Sequence, residues 1–178
     1  MDDRVLVAYG SKYGATAEIA QRIGETLRQA GLEADVLPAD KVRDLGSYAA
    51  VVIGSGVYIG RWRKEAAQFL QANQAALAEK PVWLFSSGPT GEGDPLDLAQ
   101  GWRLPGKLQP VADSIAPRDV TVFGGALDPD KLNFIEKWVI KNVKAPMGDF
   151  RNWDAITAWA EGIAAELKGL RGAAAGQQ

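Results

Sequence analysis

The sequence predicts a doubly wound α/β domain built on a five-stranded parallel sheet with the strand order 2-1-3-4-5. Short apolar runs that end at turn residues alternate along the chain with amphipathic segments of helical period. Because a parallel connection crosses over the sheet, normally with a helix, this alternation indicates a parallel sheet. The length of 178 residues suits one domain. We assign it to residues 1–170 and expect a disordered tail at 171–178.

Five apolar runs are predicted as strands. The first, residues 4–9, is continuously apolar up to Gly10, which is typical of a strand buried on both faces. Residues 33–38 alternate weakly and stop at Pro38, as a strand near the sheet edge does. The other three runs are residues 49–54, 81–86 and 119–124.

Four segments are predicted as helices. Residues 15–30 carry Ile19, Ile23 and Leu27 at four-residue spacing and are followed by Gly31, a common residue just past a helix end. The others are residues 65–77, about 130–142, and 153–170, the last with a stripe of Ile156, Trp159, Ile163 and Leu167. Residues 88–110 form a long Gly- and Pro-rich segment, and loops of that length usually have a function or are mobile.

The composition excludes several kinds of chemistry. The chain has no Cys and no His, so disulfides, thiolate nucleophiles, Ser-His triads and the usual zinc sites are excluded. We therefore predict no metal site and no catalytic side chain, and an organic cofactor is the favoured route to activity. The net charge of −2 gives no reason to expect nucleic acid. Without a signal-peptide pattern or a membrane-spanning run, we expect a cytoplasmic location.

The loop between the first strand and the first helix is a candidate phosphate site. A helix N-terminus offers free N–H groups and a partial positive charge. Hydroxyl groups and one ammonium group are added by the loop, whose residues are Ser11, Lys12, Tyr13, Gly14, Ala15 and Thr16. The alternative is an ordinary turn shaped by Gly10 and Gly14, with Thr16 as a helix cap.

Two further glycine-bearing loops follow the third and fourth strands. Their residues are Gly54, Ser55, Gly56, Val57, Tyr58, Ile59 and Gly60, and Ser86, Ser87 and Gly88. Glycines let the backbone approach a flat ligand, and Tyr58 or Trp62 could stack on it. Since the carboxyl ends of parallel strands share one sheet edge, the three loops are expected to converge there. Each loop taken alone could be a surface turn.

Two nucleotide-binding patterns are rejected. Residues 101–107 match the start of a P-loop, but Leu108 replaces the hydroxyl residue and no buried strand comes before it. Gly54-x-Gly56 begins like a dinucleotide fingerprint, but Ile59 stands at the third glycine position.

Ser11-x-Tyr13-Gly14-x-Thr16 resembles the flavodoxin phosphate loop, in which Thr or Ser hydroxyls hold the 5′-phosphate of FMN. Tyr13 stands where flavodoxins usually have Thr, and Ala15 where they often have Asn. The wider chain resembles the menaquinone-dependent protoporphyrinogen IX dehydrogenases. The segments that carry this resemblance are residues 51–54, 60–63, 123–127 and 153–154.

This resemblance covers nearly the whole chain except residues 88–110. It implies a flavodoxin-like fold and FMN as cofactor, with the loop of residues 54–60 against the flavin ring. It also implies that Ser87 and Gly88 meet the pyrimidine end of the ring and that Gly125 approaches the site.

Two basic segments can each be interpreted in two ways. Arg61, Trp62 and Arg63 could recognise an anionic partner, such as tetrapyrrole propionates or an acidic redox protein, or could be a solvated helix start. The segment of residues 131–144 alternates lysines with apolar residues: Lys131, Lys137, Lys141 and Lys144 with Phe134, Ile135, Trp138, Val139 and Ile140. We expect its apolar residues to pack on the sheet, with peripheral contact to anionic lipid as the alternative.

The resemblance implies an FMN oxidoreductase that takes hydrogen equivalents from a reduced tetrapyrrole and passes them to a quinone. The main alternative is a flavodoxin-type electron carrier that docks on partner redox proteins. Such carriers are generally more acidic than this near-neutral chain, which favours the enzyme. A third interpretation, a flavin-free interaction protein, would require all three loops to have no ligand.

Overall fold

The computed structural model describes residues 3–143 and 146–177. Its strands are β1 (Arg4–Gly10), β2 (Ala34–Pro38), β3 (Tyr48–Tyr58), β4 (Arg61–Trp62), β5 (Val82–Ser87), β6 (Asp119–Phe123), β7 (Ala126–Leu127) and β8 (Gly148–Asp149). Five of these strands form a parallel sheet in the order β2-β1-β3-β5-β6. Counted along the chain, these five have the order 2-1-3-4-5, so the predicted topology is confirmed.

Three short strands were not predicted. β4 pairs antiparallel with the end of β3, and β7 pairs antiparallel with β8. Each has only two residues, which is too short to show a periodic pattern in the sequence.

The helices are α1 (Ala15–Gln29), α2 (Lys64–Ala72), α3 (Gln74–Ala78), α4 (Pro95–Leu98), α5 (Gln109–Ile115), α6 (Phe134–Val143) and α7 (Trp153–Ala175). The helix predicted at residues 65–77 is split at Asn73, whose side-chain amide donates to the carbonyl of Phe69 at 2.8 Å. Asn side chains bond to nearby backbone in this way and so interrupt helices. α7 continues to Ala175, and residues 171–175 of the expected disordered tail are therefore helical.

Helices cover both faces of the sheet. Alternate residues of β1 point to opposite faces, with Val5 and Val7 on one side and Leu6 and Ala8 on the other. The first side packs against α1 and α7, and the second against α2, α3 and α5. On α7 the predicted stripe is buried apart from Trp159, whose indole N–H donates to Asp119 at 2.9 Å.

The register of the strands brings the predicted loops together. Gly10 at the end of β1 lies beside Ser55 of β3, and Gly56 lies beside Ser87 of β5. The connections that follow β1, β3 and β5 therefore leave the sheet at the same edge.

α6 does not pack as the sequence predicted. Its apolar residues Phe134, Ile135 and Trp138 are 86%, 70% and 63% exposed. The buried positions are Glu136 and Ile140 in the helix and Leu132 just before it, at four-residue spacing. The expectation that the apolar residues pack on the sheet is therefore wrong for three of the five. Lys144 lies outside the described residues.

The start of α6 is fixed by a reciprocal cap. The Asn133 side chain accepts a hydrogen bond from the Glu136 N–H at 2.8 Å, and the Glu136 carboxylate accepts one from the Asn133 N–H at 3.3 Å. Such a pair satisfies two N–H groups of the first turn. The helix consequently begins at Phe134, four residues after the predicted start, and a 3₁₀ turn at Pro129–Lys131 precedes it.

The long segment 88–110 contains α4 and a 3₁₀ turn at Gly106–Leu108. It is held to the domain by Leu104 and Leu108, both of which are buried. α4, not a strand, comes before residues 101–107, in keeping with the rejection of a P-loop there.

None of the helices in the described part of the chain combines the length and apolar composition needed to cross a bilayer. Within residues 3–143 and 146–177, no three acidic side chains are grouped as metal ligands.

Candidate functional site

The loop between β1 and α1 wraps around the start of the helix. Gly14 has φ of 93°, a left-handed conformation that favours glycine, and its N–H donates to the Ser11 hydroxyl at 3.1 Å. α1 begins at the next residue, and Thr16 in its first turn is buried. The loop thus presents a helix N-terminus to the cavity beside it.

The three predicted loops line one central cavity of about 80 Å³. Its walls include twelve of the predicted residues: Ser11, Lys12, Tyr13, Ala15, Thr16, Gly56, Val57, Tyr58, Arg63, Ser87, Gly88 and Gly125. Four more residues that the sequence analysis did not assign to the cofactor site complete the walls, namely Ala126, Leu127, Leu132 and Ile140.

Glycines allow close backbone approach at two points of this cavity. A Cβ atom on Gly56 would lie 2.9 Å from the Thr16 hydroxyl oxygen, and one on Gly125 would lie 3.0 Å from the Gly88 carbonyl oxygen. Side chains at either position would bring the two facing loops into collision. The absence of side chains at Gly56 and Gly125 lets these loops pack directly against each other.

Other predicted residues build the loops without lining the central cavity. Gly54 lies against the Phe85 ring, which a Cβ atom would overlap. The buried Ser55 hydroxyl accepts from the Arg63 N–H and donates to the Gly56 carbonyl, both at 2.8 Å. Gly14 shapes the first loop as described above.

Trp62 and Ser86 bind each other in the interior. The Trp62 indole N–H donates to the Ser86 hydroxyl at 2.8 Å, and that hydroxyl donates to the Arg103 carbonyl at 2.9 Å. Of the two aromatic residues predicted as stacking partners, Tyr58 alone lines the central cavity. The Trp62–Ser86 bond instead joins β4 to β5 and the long segment.

Two polar atoms at the central cavity are buried without a hydrogen-bond partner among the described residues. They are the hydroxyl of Tyr13 and Nε of Arg63. Nε of Arg63 has the Glu65 carboxylate 3.9 Å away, beyond hydrogen-bond distance. Buried donors without partners are costly, so both atoms favour a ligand with acceptor oxygens.

Lys12 crosses this cavity to α6. Its Nζ lies 2.6 Å from Oε2 of Glu136, 4.7 Å from the centre of the Tyr58 ring and 5.2 Å from that of Tyr13. The hydrogen bond from Lys12 is the main cause of a lowered Glu136 pKa, which burial opposes. Glu136 stands midway between Leu132 and Ile140 at helical spacing, and this is the sequence pattern that indicates its buried position.

A second cavity of about 490 Å³ lies on the other side of Tyr13. Arg151 at its edge donates to the carboxylates of Asp149 and Glu18 and lies 4.8 Å from the Trp153 ring centre. Hydrogen bonding to Arg151 lowers the pKa of Asp149, and the Asp149 carboxylate raises the pKa of Arg151. Arg151 thus clamps β8 against α1.

The tip of the β3–β4 hairpin borders two more cavities. Ile59 and Gly60 have φ of 49° and 68° and belong to both. One cavity, of about 640 Å³, includes Trp102 and is called the Trp102 cavity. The other, of about 380 Å³, includes Arg61 and Lys107 and is called the Lys107 cavity.

The residues of the central cavity fit FMN. Its phosphate would find a helix N-terminus, hydroxyl groups and the cations Lys12 and Arg63. The partnerless Tyr13 hydroxyl and Arg63 Nε provide donors, and Tyr58 provides an aromatic face.

Comparisons with known proteins agree with this fit. The flavodoxin domain family matches residues 6–153 of the chain. NAD(P)H dehydrogenase (quinone) of Nitrobacter winogradskyi is 33% identical over 117 residues, which are 51% of this chain and 59% of that protein. The chain thus spans less than two thirds of that relative. Protoporphyrinogen IX dehydrogenase (quinone) of Escherichia coli is 22% identical over 182 residues, covering 90% of this chain and 94% of that protein.

Solved structures show the same fold. A flavodoxin from the domain Archaea superposes with a TM-score of 0.61 at 13% identity, over 93% of this chain and 99% of the archaeal one. The family match spans most of the chain, and the loops that meet at the sheet edge have the groups that a flavin phosphate requires. The chain therefore belongs to the flavodoxin domain family and binds FMN.

Proposed function

We propose that the chain is an FMN-dependent oxidoreductase that passes hydrogen equivalents to a quinone, as the names of its relatives suggest. The observation that carries this proposal is the Trp102 cavity. It shares Val57 and Gly88 with the central cavity, so its contents would lie beside the flavin site.

The cofactor's phosphate is proposed to lie at residues 11–16 and its ring at Gly56, Tyr58 and Ser87. When bound, FMN supplies the transfer of electrons and hydrogen, and the chain needs no His or Cys for that chemistry. The tasks left to the protein are to bind the phosphate, orient the ring and exclude water from it.

The Trp102 cavity suits an uncharged ring. None of the described residues that line it is charged, and Val57, Ile59, Pro89 and Trp102 give it an apolar wall. A quinone ring is flat, apolar and uncharged, and Trp102 offers it an aromatic face. Charged phosphates or carboxylates would find no counter-charge in this cavity.

The neighbouring Lys107 cavity suits carboxylates. It meets the Trp102 cavity at Ile59 and Gly60 and adds the cations Arg61 and Lys107. We propose that the propionates of a reduced tetrapyrrole bind there. Arg63, which the sequence grouped with Arg61, lines the central cavity instead.

The conformation of Ile59 supports a function for the hairpin tip. A β-branched residue at φ of 49° is strained, and this one is also exposed. Strain of this kind occurs at ligand sites, where the surrounding structure holds it in place. Ile59 lies where the two proposed substrate cavities meet.

A flavodoxin-type carrier is the alternative. A carrier exchanges electrons at a docking surface, so it would need neither the apolar Trp102 cavity nor the adjacent cations. The near-neutral net charge of −2 also favours the enzyme over an acidic carrier.

An anaerobic assay separates these functions. Holoprotein is mixed with menadione, a soluble quinone, and with either protoporphyrinogen or NAD(P)H, and porphyrin fluorescence or NAD(P)H absorbance is followed. Acceleration with protoporphyrinogen supports the full proposal. Acceleration with NAD(P)H alone supports a quinone as the acceptor and overturns the proposal that a tetrapyrrole is the donor. No acceleration with either donor overturns the enzyme in favour of a carrier.

We also propose that the exposed face of α6 contacts a membrane surface. Phe134, Ile135 and Trp138 project from a helix that also carries Lys137 and Lys141. Exposed aromatic residues among lysines suit the boundary between acyl chains and anionic headgroups. This contact would bring the protein to a quinone dissolved in the bilayer.

A further inference from the structure

α6 borders the central cavity. Ile140 of this helix and Leu132 just before it form part of the cavity wall. The helix therefore packs beside the phosphate loop of residues 11–16, which lines the same cavity.

The charge that should attract the phosphate is already paired. Lys12 Nζ lies 2.6 Å from the Glu136 carboxylate, and Glu136 is 5% exposed. The ammonium group is flanked by the rings of Tyr58 and Tyr13, which line the same cavity. Lys12 is thus held over the cavity by a carboxylate from α6.

We propose that Glu136 competes with the phosphate of FMN for Lys12, so that the phosphate has to displace α6 in order to bind. Glu136 then determines how strongly the site prefers FMN to riboflavin, which has no phosphate. This inference concerns cofactor binding and does not depend on the quinone reaction.

Competition follows from the charges. A phosphate that approaches Lys12 also approaches the buried Glu136 carboxylate, and two like charges in a poorly solvated site repel each other. Lys12 is therefore expected to exchange the Glu136 carboxylate for the phosphate rather than bind both anions at once.

The geometry also gives Glu136 a second partner. Its other carboxylate oxygen, Oε1, accepts the Asn133 N–H, and Asn133 in turn caps α6. Both residues of this cap belong to the start of α6, so the helix can move away from Lys12 without losing the cap. Release then costs the ion pair and the burial of Leu132 and Ile140, and leaves the helix intact.

The test measures affinities of the apoprotein for FMN and riboflavin by quenching of flavin fluorescence. We expect Glu136→Gln to bind FMN about tenfold more tightly than wild type, because the competing charge is gone. Riboflavin affinity should stay unchanged. Glu161→Gln removes the same charge from an exposed position on α7 and should match wild type for both flavins.

Each other outcome overturns the proposal. Unchanged FMN affinity would show that Glu136 does not compete, and weaker affinity would show that it positions Lys12 for the phosphate. An equal gain for both flavins would make α6 a steric cover without competition for charge. If wild type binds neither flavin, FMN binding itself fails, which is a separate result.

A measurement on wild type avoids any folding defect of the variant. Hydrogen exchange of the α6 amides should speed up when FMN or inorganic phosphate is added to the apoprotein, and should not change with riboflavin. Unchanged exchange with FMN and with phosphate would overturn the proposed displacement.

Discussion

Lys12 and Glu136, 124 residues apart in sequence, join the phosphate loop to α6 through an ion pair with an N–O distance of 2.6 Å. The pair connects the first loop of the sheet edge to a helix whose outer face is apolar and basic. The same helix therefore touches the cofactor site on one side and meets solvent with exposed aromatic residues on the other.

The ion pair predicts a pH dependence of apoprotein stability. The pKa of Glu136 is lowered in the folded chain, so its contribution is fully present above the usual value of 4.5 and is lost as the pH falls through the lowered pKa. Glu136→Gln should cost about 1 kcal/mol at neutral pH. The difference between the thermal melts of the two proteins should shrink as the pH falls below 4.5 and vanish once the pH is below the lowered pKa. A difference in melting temperature that persists at low pH would show that the Lys12–Glu136 ion pair does not cause it.

The phosphate loop predicts a loss of FMN affinity on removal of its hydroxyls. Ser11 and Thr16 both line the central cavity, and one hydrogen bond contributes about 0.5–1.5 kcal/mol. The double variant Ser11→Ala, Thr16→Ala should bind FMN about tenfold more weakly, with little change for riboflavin. Ser47→Ala, in the turn before β3, is the matched control. Unchanged FMN affinity in the double variant would put the phosphate elsewhere.

The close approach at Gly56 predicts that a single methyl group damages the site. A Cβ atom there would lie 2.9 Å from the buried Thr16 hydroxyl, and overpacking of this kind costs about 1–3 kcal/mol. Gly56→Ala should lower both the melting temperature and FMN affinity. Gly106→Ala has no neighbouring atom within 4 Å of the new Cβ and should leave both unchanged. Equal behaviour of the two variants would exclude a tight loop contact.

The outer face of α6 predicts binding to anionic vesicles. Wild type should sediment with vesicles of phosphatidylcholine mixed with phosphatidylglycerol, and less with phosphatidylcholine alone. Phe134→Ser combined with Trp138→Ser should abolish sedimentation, because these are the most exposed rings of the helix. Leu98→Ser, at an exposed leucine of α4, is the control. Sedimentation that survives the double variant would rule out this face.

The strand order could be predicted because buried parallel strands are continuous apolar runs and the connecting helices have clear periods. The convergence of the three loops followed from topology alone, since the ends of parallel strands share an edge. The strand order therefore follows from local sequence patterns, and the meeting of the three loops follows from the strand order.

Contacts between distant segments could not be predicted in the same way. The pattern of α6 contains six apolar residues in ten, and it does not show that Glu136 and Ile140, together with Leu132 just before the helix, form the buried side. That choice depends on Lys12, which is far away in sequence. The roles of Trp62 and Ser86 were missed for the same reason, because their hydrogen bond joins β4 to β5.

Anaerobic stopped-flow oxidation of the reduced holoprotein with menadione reports on the proposed quinone site beside the flavin. If the Trp102 cavity binds the quinone, the observed rate should saturate with menadione concentration. Trp102→Ala should raise the menadione concentration at half-saturation about tenfold, since contacts between aromatic rings contribute about 0.5–1.5 kcal/mol beyond the buried area. Trp138→Ala on the outer face of α6 should not change it. A rate that rises linearly with menadione and is equal in all three proteins would contradict a quinone site and indicate a carrier oxidised by collision.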